Sequence, residues 1–151
     1  MKNLTDEQFY IWLAGFMDGE GCIYVSRTKN SNRWGYQYTL RVELTQANKQ
    51  LLEDIIERVG FGSNIWNKAL NAIKNRKSKR NVYAIKWSSR QAHELLKKIY
   101  PYMVVKKAQA SLGMEFQELV NENYGKGVRL SDEYNHKQVE LRELLVLAKA
   151  P

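Results

Sequence analysis

The sequence is short of cysteine and of long apolar runs. Its one cysteine, Cys22, excludes a disulfide framework or a zinc cluster of thiolates within one chain. No stretch approaches the roughly 18 consecutive apolar residues of a membrane helix. The N-terminus has no apolar segment followed by a small-residue cleavage site. We therefore expect an intracellular protein that is not secreted and has no membrane partner.

Acidic residues are also in the minority. Lysine and arginine number 24 against 16 aspartates and glutamates, which gives a net charge of +8. From Lys68 to Arg80 the chain has six basic residues and no acidic one. This pattern is typical of a mobile basic loop, whose charges repel one another unless a polyanion neutralises them. Nucleic acid is the first candidate partner, and a merely soluble basic surface is the alternative.

The length and the apolar content suit one domain. The chain has 151 residues, of which 44% are hydrophobic, enough for a core. Periodicity and capping signals predict helices over residues 6–18, 46–59, 89–100, 106–124 and 132–148. Alternation predicts strands over residues 22–29, 37–44, 64–68 and 82–87. The order is αββαββα with two further helices, which predicts a single α+β domain over residues 1–151, with a mainly antiparallel sheet and helices on one face.

The first predicted helix has two contrasting faces. Thr5 and Gln8 form a capping-box pattern at its start. At 100° per residue, a large apolar face lies opposite a face that is small apart from one isoleucine. That second face comprises Ile11, Ala14, Gly15 and Asp18. Because a soluble helix normally has charge opposite its core face, small residues there predict that another helix backbone packs closely against it.

The clearest alternation in the chain covers residues 37–44, with apolar residues at even positions and polar ones at odd positions. It predicts a half-buried antiparallel strand. On the alternation alone, a simply solvated face is the favoured interpretation. A two-stranded ribbon also fits the DNA major groove, so in a DNA-binding protein this polar face would be a candidate for reading bases. The candidate DNA-binding residues on the two hairpins are Tyr24, Ser26, Thr28, Gln37, Thr39, Arg41, Glu43, Asn64, Trp66, Lys68 and Lys86.

Side-chain chemistry assigns different tasks to these residues. Arg41 suits guanine, Gln37 suits adenine and Glu43 suits cytosine, because their donors and acceptors match those base edges. Arg33, together with Arg27 and the basic segment, would contact phosphates, which positions a protein on DNA without reading sequence.

The segment from Leu13 to Gly21 reads LAGFMDGEG and resembles the signature of the LAGLIDADG homing endonucleases. The glycines, the Asp18 position and the final acid, Glu20, fall where that motif has them. Thr45-Gln46 and the segment from Pro101 to Ala110 are similar to single-motif members of the family. The resemblance covers about residues 6–118. It implies the fold of that family, with a saddle-shaped antiparallel sheet, and DNA cleavage as the activity.

The resemblance also implies roles for particular residues. Glu20, with the main-chain carbonyl of Gly19, is implied to hold Mg²⁺, which prefers oxygen ligands. Gln46 falls where relatives have a glutamine that orients the attacking water. Lys106 aligns with an active-site lysine that stabilises charge on the phosphate. Asp18 is expected to be structural, hydrogen-bonded near the helix end, and not a metal ligand.

Two positions depart from the usual pattern of the family. Glu20 stands where many relatives have aspartate, and glutamate is also found there in the family. About four positions after the glutamine, where relatives carry a basic residue, this sequence has Gln50, and Lys49 is one position earlier. The role of Lys49 therefore stays open.

A single motif in a chain of this length implies a homodimer, with two motif helices side by side on a twofold axis and with Ile11, Ala14, Gly15 and Asp18 at the interface. The implied activity is Mg²⁺-dependent cleavage of both strands of a long pseudo-palindromic double-stranded DNA target. The cuts would lie across the minor groove and leave 3′ overhangs. Introns and inteins carry this family, so an organelle or an archaeal or bacterial cytoplasm is the expected compartment.

Three alternative functions compete with the endonuclease. An intron maturase, whose partner is intron RNA, stays open because maturases can keep the acidic residues. A DNA-binding protein of the same fold without catalysis is disfavoured by the joint presence of Glu20, Gln46 and Lys106. A basic ribosome-associated protein gives no account of the small helix face.

Overall fold

The computed structural model describes residues 1–68, 81–125 and 131–150. In chain order its elements are α1 (Asp6–Glu20), β1 (Gly21–Lys29), β2 (Tyr36–Gln46), α2 (Lys49–Val59), β3 (Trp66–Asn67), β4 (Tyr83–Ser88), α3 (Ser89–Ile99), a 3₁₀ turn (Tyr100–Tyr102), α4 (Lys107–Asn123) and α5 (Asp132–Leu147). This order confirms the predicted αββαββα arrangement with two further helices. The predicted basic loop, apart from Lys68, lies outside the described residues.

The strands form one antiparallel sheet in the order β1-β2-β4-β3. Gly21 pairs with Leu44 at one end of the first hairpin, and Lys29 pairs with Tyr36 at the other. Leu40, Val42 and Leu44 are fully buried, whereas the polar residues between them are half-buried. The alternation of the sequence therefore predicted correctly which face of β2 lies in the core.

Helices cover one face of this sheet and form the core with it. The largest fully buried side chains come from both layers and include Trp87, Phe9, Phe116, Leu13, Met17, Ile23 and Leu40. Burying a side chain of this size stabilises the fold by roughly 1.5–3 kcal/mol. A Cβ added at Gly113 of α4 would lie 3.0 Å from Leu40 Cδ1, so this helix packs close against the sheet.

Helix α1 begins and ends with local interactions that the sequence encodes. Thr5 Oγ1 accepts from the amide of Gln8 at 3.2 Å, and the Gln8 side chain accepts from the amide of Thr5 at 2.9 Å, which confirms the capping box. The helix continues to Glu20, two residues beyond the predicted end. A Cβ at Gly21 would lie 2.0 Å from Met17 Sδ and 2.7 Å from the Met17 carbonyl oxygen. Only glycine fits this direct turn from helix to strand.

Ala14 was wrongly assigned to the outer face of α1. It is fully buried in the core, next to Met17 and Leu13 of the same helix. The large apolar side chains mark only part of the face of α1 that is buried. This face is wider than they suggest and includes the methyl group of Ala14.

Two predicted boundaries were also wrong. Gln46 is the last residue of β2, and α2 begins only at Lys49, because Asn48 is the N-cap and its side chain accepts from the amide of Leu51 at 3.1 Å. Strand β3 has two residues where five were predicted. Two main-chain hydrogen bonds continue the pairing with β4 beyond both ends of β3. Ser63 N donates to Lys86 O at 2.8 Å, and Lys68 N donates to Val82 O at 2.7 Å.

Helix α5 covers the outer edge of the sheet. Arg142 Nε donates to the carbonyl oxygen of Val25 in the edge strand β1 at 3.1 Å. At the other end of α5, Asp132 accepts from the Trp34 indole at 3.1 Å and pairs with Arg33. Covering an edge strand prevents it from pairing with other chains. Within the described ranges, no helix combines the length and apolar character needed to cross a membrane.

Candidate functional site

The C-terminal end of α1 presents an exposed acid at the negative end of a helix. Glu20 is the last residue of the helix, and both Glu20 and Gly19 are exposed. The last turn of α1 has no basic residue of its own. Lys106 supplies the missing charge, because its Nζ donates to the carbonyl oxygens of Met17 at 3.1 Å and of Asp18 at 2.5 Å. The fold thus brings Lys106 to the helix end that carries Glu20.

The Asp18 side chain fixes the segment that precedes Lys106. Its carboxylate accepts from the amides of Val104 at 2.8 Å and of Lys106 at 2.9 Å. Burial alone would raise the pKa of Asp18, but main-chain hydrogen bonds from Lys106, Val104 and Val105 and the charge of Lys106 outweigh it, so the pKa is lowered. These hydrogen bonds lie near the end of α1, where the sequence analysis expected Asp18 to be hydrogen-bonded. A contact of Asp18 with a partner chain stays a prediction.

Gln46 lies at the same end of the first hairpin as Glu20. Gly21 pairs with Leu44, and Gln46 follows two residues beyond that pair. Its side-chain oxygen accepts from the amide of Ala47 at 2.9 Å. The three residues assigned to catalysis are therefore gathered at one end of the molecule, although each comes from a different part of the chain.

Within the described residues, the acidic side chains of one chain do not group into a complete metal site. Across residues 1–68, 81–125 and 131–150, no group of three or more histidine, cysteine, aspartate or glutamate side chains could hold a metal ion. The oxygen donors at the end of α1 are the Glu20 carboxylate and the nearby main-chain carbonyls, of which Gly19 is exposed. Oxygen donors of this kind suit a hard cation such as Mg²⁺.

An apolar surface with open space borders this helix end. Ile11 is 48% exposed, and nothing lies within 4 Å of a Cβ built at Gly15 or Gly19. Val104 and Val105 are 81% and 74% exposed, and Asp18 holds their segment against α1. The sequence prediction had missed the valines, whose only signal is two adjacent apolar residues outside a regular helix. We call Ile11, Gly15, Gly19, Val104 and Val105 the α1 surface.

The outer face of the sheet carries the predicted DNA-binding residues. The register aligns Thr28 with Gln37, Ser26 with Thr39, and Tyr24 with Arg41. It also aligns Glu43 with Lys86. Trp66 pairs with Ala84 of β4, and Lys86 Nζ lies 5.4 Å from the centre of the Trp66 ring. Asn64 precedes β3 and is exposed.

Glu43 is already engaged within the chain. It accepts from Tyr24 Oη at 3.2 Å and from Thr45 Oγ1 at 3.4 Å, and it forms an ion pair with Lys68. Burial, followed by the neighbouring Glu43 charge, raises the pKa of Tyr24 to about 12, so the phenol remains a hydrogen-bond donor at neutral pH. A contact of Glu43 with cytosine would compete with these partners.

Several predicted phosphate contacts also have partners in the chain. Arg33 pairs with Asp132, whose pKa is lowered by hydrogen bonds from Trp34 and Arg33 and by the Arg33 charge. Arg27 lies 4.5 Å from the centre of the Tyr36 ring. Lys49, to which the sequence assigned no role, forms an ion pair with Glu53 at 3.1 Å on α2.

Two residues on the outer face were not predicted from sequence. Ser88 accepts from Arg41 Nη1 at 2.8 Å. Lys149 Nζ lies 3.6 Å from Cys22 Sγ and 5.7 Å from the centre of the Tyr24 ring. These contacts join parts of the chain far apart in sequence, so no local pattern indicates them.

Comparison with known proteins gives relatives over most of the chain. A family model described as LAGLIDADG endonuclease matches residues 13–119. The DNA endonuclease I-CvuI of Chlorella vulgaris is 27% identical over 116 residues, which cover 75% of this chain and 66% of that protein. The DNA endonuclease I-CreI of Chlamydomonas reinhardtii is 25% identical over 121 residues, or 78% of this chain and 68% of that protein. The chain thus spans about two thirds of the length of these relatives.

Solved structures share the fold. The crystal structure of I-CvuI in complex with the I-CreI target matches with a TM-score of 0.76 and 21% identity, over 97% of this chain and 85% of that chain. The LAGLIDADG meganuclease I-AabMI, bound to uncleaved DNA, matches with a TM-score of 0.69 and 25% identity, over 93% of this chain but 46% of that chain. With the matched family model covering well over half of its residues, the chain belongs to the LAGLIDADG endonuclease family.

Proposed function

We propose that this protein is a homodimeric, Mg²⁺-dependent homing endonuclease that cuts both strands of a long pseudo-palindromic DNA site. The observation that carries this proposal is the end of α1, where an open helix face leads directly to the exposed Glu20. Two copies of such a face can meet on a twofold axis, and each copy then brings one acid to the shared centre.

The α1 surface supports the homodimer. Gly15 and Gly19 are four residues apart on one side of α1, and the absence of side chains there lets two helix backbones approach closely. Ile11, Val104 and Val105 would lose their exposure to water at such an interface. This chain also matches 46% of the I-AabMI chain, as expected if a dimer of this chain corresponds to one I-AabMI chain.

Mg²⁺ fits the donors at the end of α1. Glu20 and the Gly19 carbonyl would hold the cation, with the remaining ligands from the partner chain, DNA phosphates and water, because Mg²⁺ commonly binds through one or two carboxylates. The cation would supply activation of water and stabilisation of the leaving oxygen. Structures of I-CvuI with DNA were determined in the presence of Mg or Ca.

The other residues gathered at this end have separate proposed tasks. Lys106 would stabilise negative charge on the scissile phosphate, since its ammonium is held beside Glu20 by main-chain carbonyls. Gln46 would orient the attacking water, and its place beyond the Gly21–Leu44 pair puts it at the required end of the sheet. The outer face of the sheet in each copy would bind the major groove on one side of the cleavage sites. The cuts would lie across the minor groove and leave 3′ overhangs.

The decisive experiment is selection of cleaved molecules from a library of near-palindromic DNA duplexes. The wild-type protein with Mg²⁺ should cut both strands at one site, and EDTA should abolish cutting. Glu20→Gln should bind the selected duplex as tightly as the wild type without cutting it. Normal cutting by Glu20→Gln would contradict the metal assignment. Binding of structured RNA with every duplex left intact would replace this proposal with the maturase alternative.

A further inference from the structure

Arg41 has its side chain fixed in place on the outer face before any DNA is present. It lies in the middle of β2, with Tyr24 beside it on β1 and Ser88 beside it on β4. Its Nε donates to Ser26 Oγ at 3.0 Å, and its Nη1 donates to Ser88 Oγ at 2.8 Å. Two hydroxyls, one from each neighbouring strand, therefore hold the guanidinium.

Each hydroxyl is oriented for this task. Ser26 Oγ donates to the carbonyl oxygen of Thr39 at 3.3 Å, which leaves its lone pairs directed to Arg41. Ser88 stands at the N-cap of α3, where serine normally accepts from a helix amide, but no such bond is formed. Its hydroxyl therefore accepts from Arg41 on the outer face of the sheet and not from an amide of α3.

The backbone beside Ser88 is strained. Ser89 has φ of 53°, a left-handed conformation that a residue other than glycine adopts at a cost. This turn lets α3 begin immediately after β4 while Ser88 keeps its register opposite Arg41. Strain that persists in a fold is commonly found where it holds a functional side chain.

The hydrogen bonds of Arg41 leave its charge and several donors available. Lys68 is paired with the Glu43 carboxylate and Arg33 with Asp132, whereas the two partners of Arg41 are neutral. A guanidinium has five N–H donors, and within the described ranges no residue accepts from Nη2 of Arg41. The remaining donors suffice for a bidentate contact with O6 and N7 of guanine.

We propose that Arg41 is a preorganised reader of one guanine in each half-site, and that Ser88 is its positioning residue. This inference rests on the proposed function, because it assigns a base to the same DNA-binding face. Preorganisation increases discrimination, since a side chain already held in its bound conformation loses little entropy when it binds.

The test is the selection of bound duplexes by the full-length protein, with base preference measured at every position. The wild type should require guanine at one base pair of each half-site. Arg41→Lys should weaken that preference at least about 10-fold, because lysine has no planar fork. Ser88→Ala should weaken the preference at the same base pair by about 3-fold or more, and Ser88→Thr, which keeps the hydroxyl, should restore it. Ser111→Ala, which removes a hydroxyl from the exposed side of α4, should leave that base pair unchanged.

A second measurement does not depend on variants. Hydrogen exchange of the Nε–H group of Arg41, followed by NMR in the unbound wild-type protein, should be slower than that of Arg27. Equal exchange rates would overturn preorganisation. A wild type that requires guanine, with Ser88→Ala keeping the full preference, would overturn the role of Ser88 and leave the proposed function standing. A wild type without any base preference would overturn both.

Discussion

Lys106 and Asp18 bind each other reciprocally. The Lys106 ammonium donates to the main-chain carbonyl of Asp18 at 2.5 Å, and the Asp18 carboxylate accepts from the main-chain amide of Lys106 at 2.9 Å. This double connection ties the segment before α4 to the last turn of α1, beside Glu20. The ammonium therefore has a defined position at the proposed catalytic centre.

Lys106→Met should reduce cleavage far more than it reduces stability. The proposed role in stabilising phosphate charge predicts a loss of about 100-fold in the single-turnover cleavage rate. The lost contact with the helix end should lower the free energy of unfolding by only about 1 kcal/mol. Lys107→Met is the matched control, because Lys107 Nζ lies 5.1 Å from the centre of the Tyr100 ring, whereas among the described residues it is Lys106 that donates to the α1 carbonyls. Wild-type cleavage by Lys106→Met would remove this residue from the mechanism.

Gly15→Leu should convert the protein to a folded monomer. Gly15 is exposed and nothing lies within 4 Å of a Cβ at this position, so in the single chain the added side chain can extend into solvent. Leucine also favours a helix over glycine by about 0.8 kcal/mol. Sedimentation at several concentrations should show dissociation while circular dichroism keeps its helical signal. Gln91→Leu, which adds leucine to the exposed side of α3, should remain dimeric. A stable Gly15→Leu dimer would contradict the proposed use of the α1 surface.

Periodicity predicted the parts of the fold that depend on local chemistry. The capping box at Thr5 set the start of α1, and alternation in β2 identified its buried face. Boundaries were less accurate where two signals overlapped. Gln46 suits a helix by spacing, but the Asn48 cap places the start of α2 beyond it. Ala14 was misplaced because a helical wheel shows direction without showing how wide the buried arc is.

The candidate site was predictable only as a set of residues. The nine-residue motif singled out Glu20, and resemblance singled out Lys106 and Gln46. Their meeting at one end depends on contacts between distant segments, such as Lys106 with Met17, which no local pattern contains. The same holds for Ser88, whose sequence context indicates a helix cap and whose hydroxyl instead accepts from Arg41.

Gly21→Ala should destabilise the fold by about 2–3 kcal/mol. The new methyl group would lie 2.0 Å from Met17 Sδ and 2.7 Å from the Met17 carbonyl oxygen, and main-chain atoms cannot move aside as a side chain can. Ser111→Ala is the control, because it changes a small side chain at an exposed position of α4, away from the α1 surface. Urea unfolding at one fixed protein concentration should separate the two variants. Equal stability would show that the helix-to-strand turn tolerates a side chain.

Ser89→Gly should stabilise the fold by about 1 kcal/mol. It relieves the strained left-handed conformation at φ of 53°, and this gain exceeds the extra entropy that glycine has in the unfolded chain. Ser111→Gly, at an exposed position within α4, should instead destabilise by up to about 1 kcal/mol. Thermal unfolding of both variants provides the comparison. Destabilisation by Ser89→Gly would contradict the inference that the backbone at Ser89 is strained.

Asp18→Asn should cost stability at neutral pH but not in acid. The pKa of Asp18 is lowered in the folded protein, so its carboxylate contributes stability above the ordinary pKa of 3.8 and loses that contribution as the pH falls through the folded value. We expect a loss of about 1 kcal/mol at pH 7, because the hydrogen bonds are charge-assisted but partly screened by solvent. The difference from wild type should begin to shrink below about pH 4, where Asp18 of the unfolded chain starts to bind a proton, and should vanish only below the lowered pKa of the folded protein. Urea unfolding in EDTA gives the free energy of unfolding at both pH values without a bound cation. The control variant Glu57→Gln, at an exposed position of α2, should differ little from wild type at either pH. A loss that stayed constant with pH would assign the effect of Asp18 to packing instead of charge.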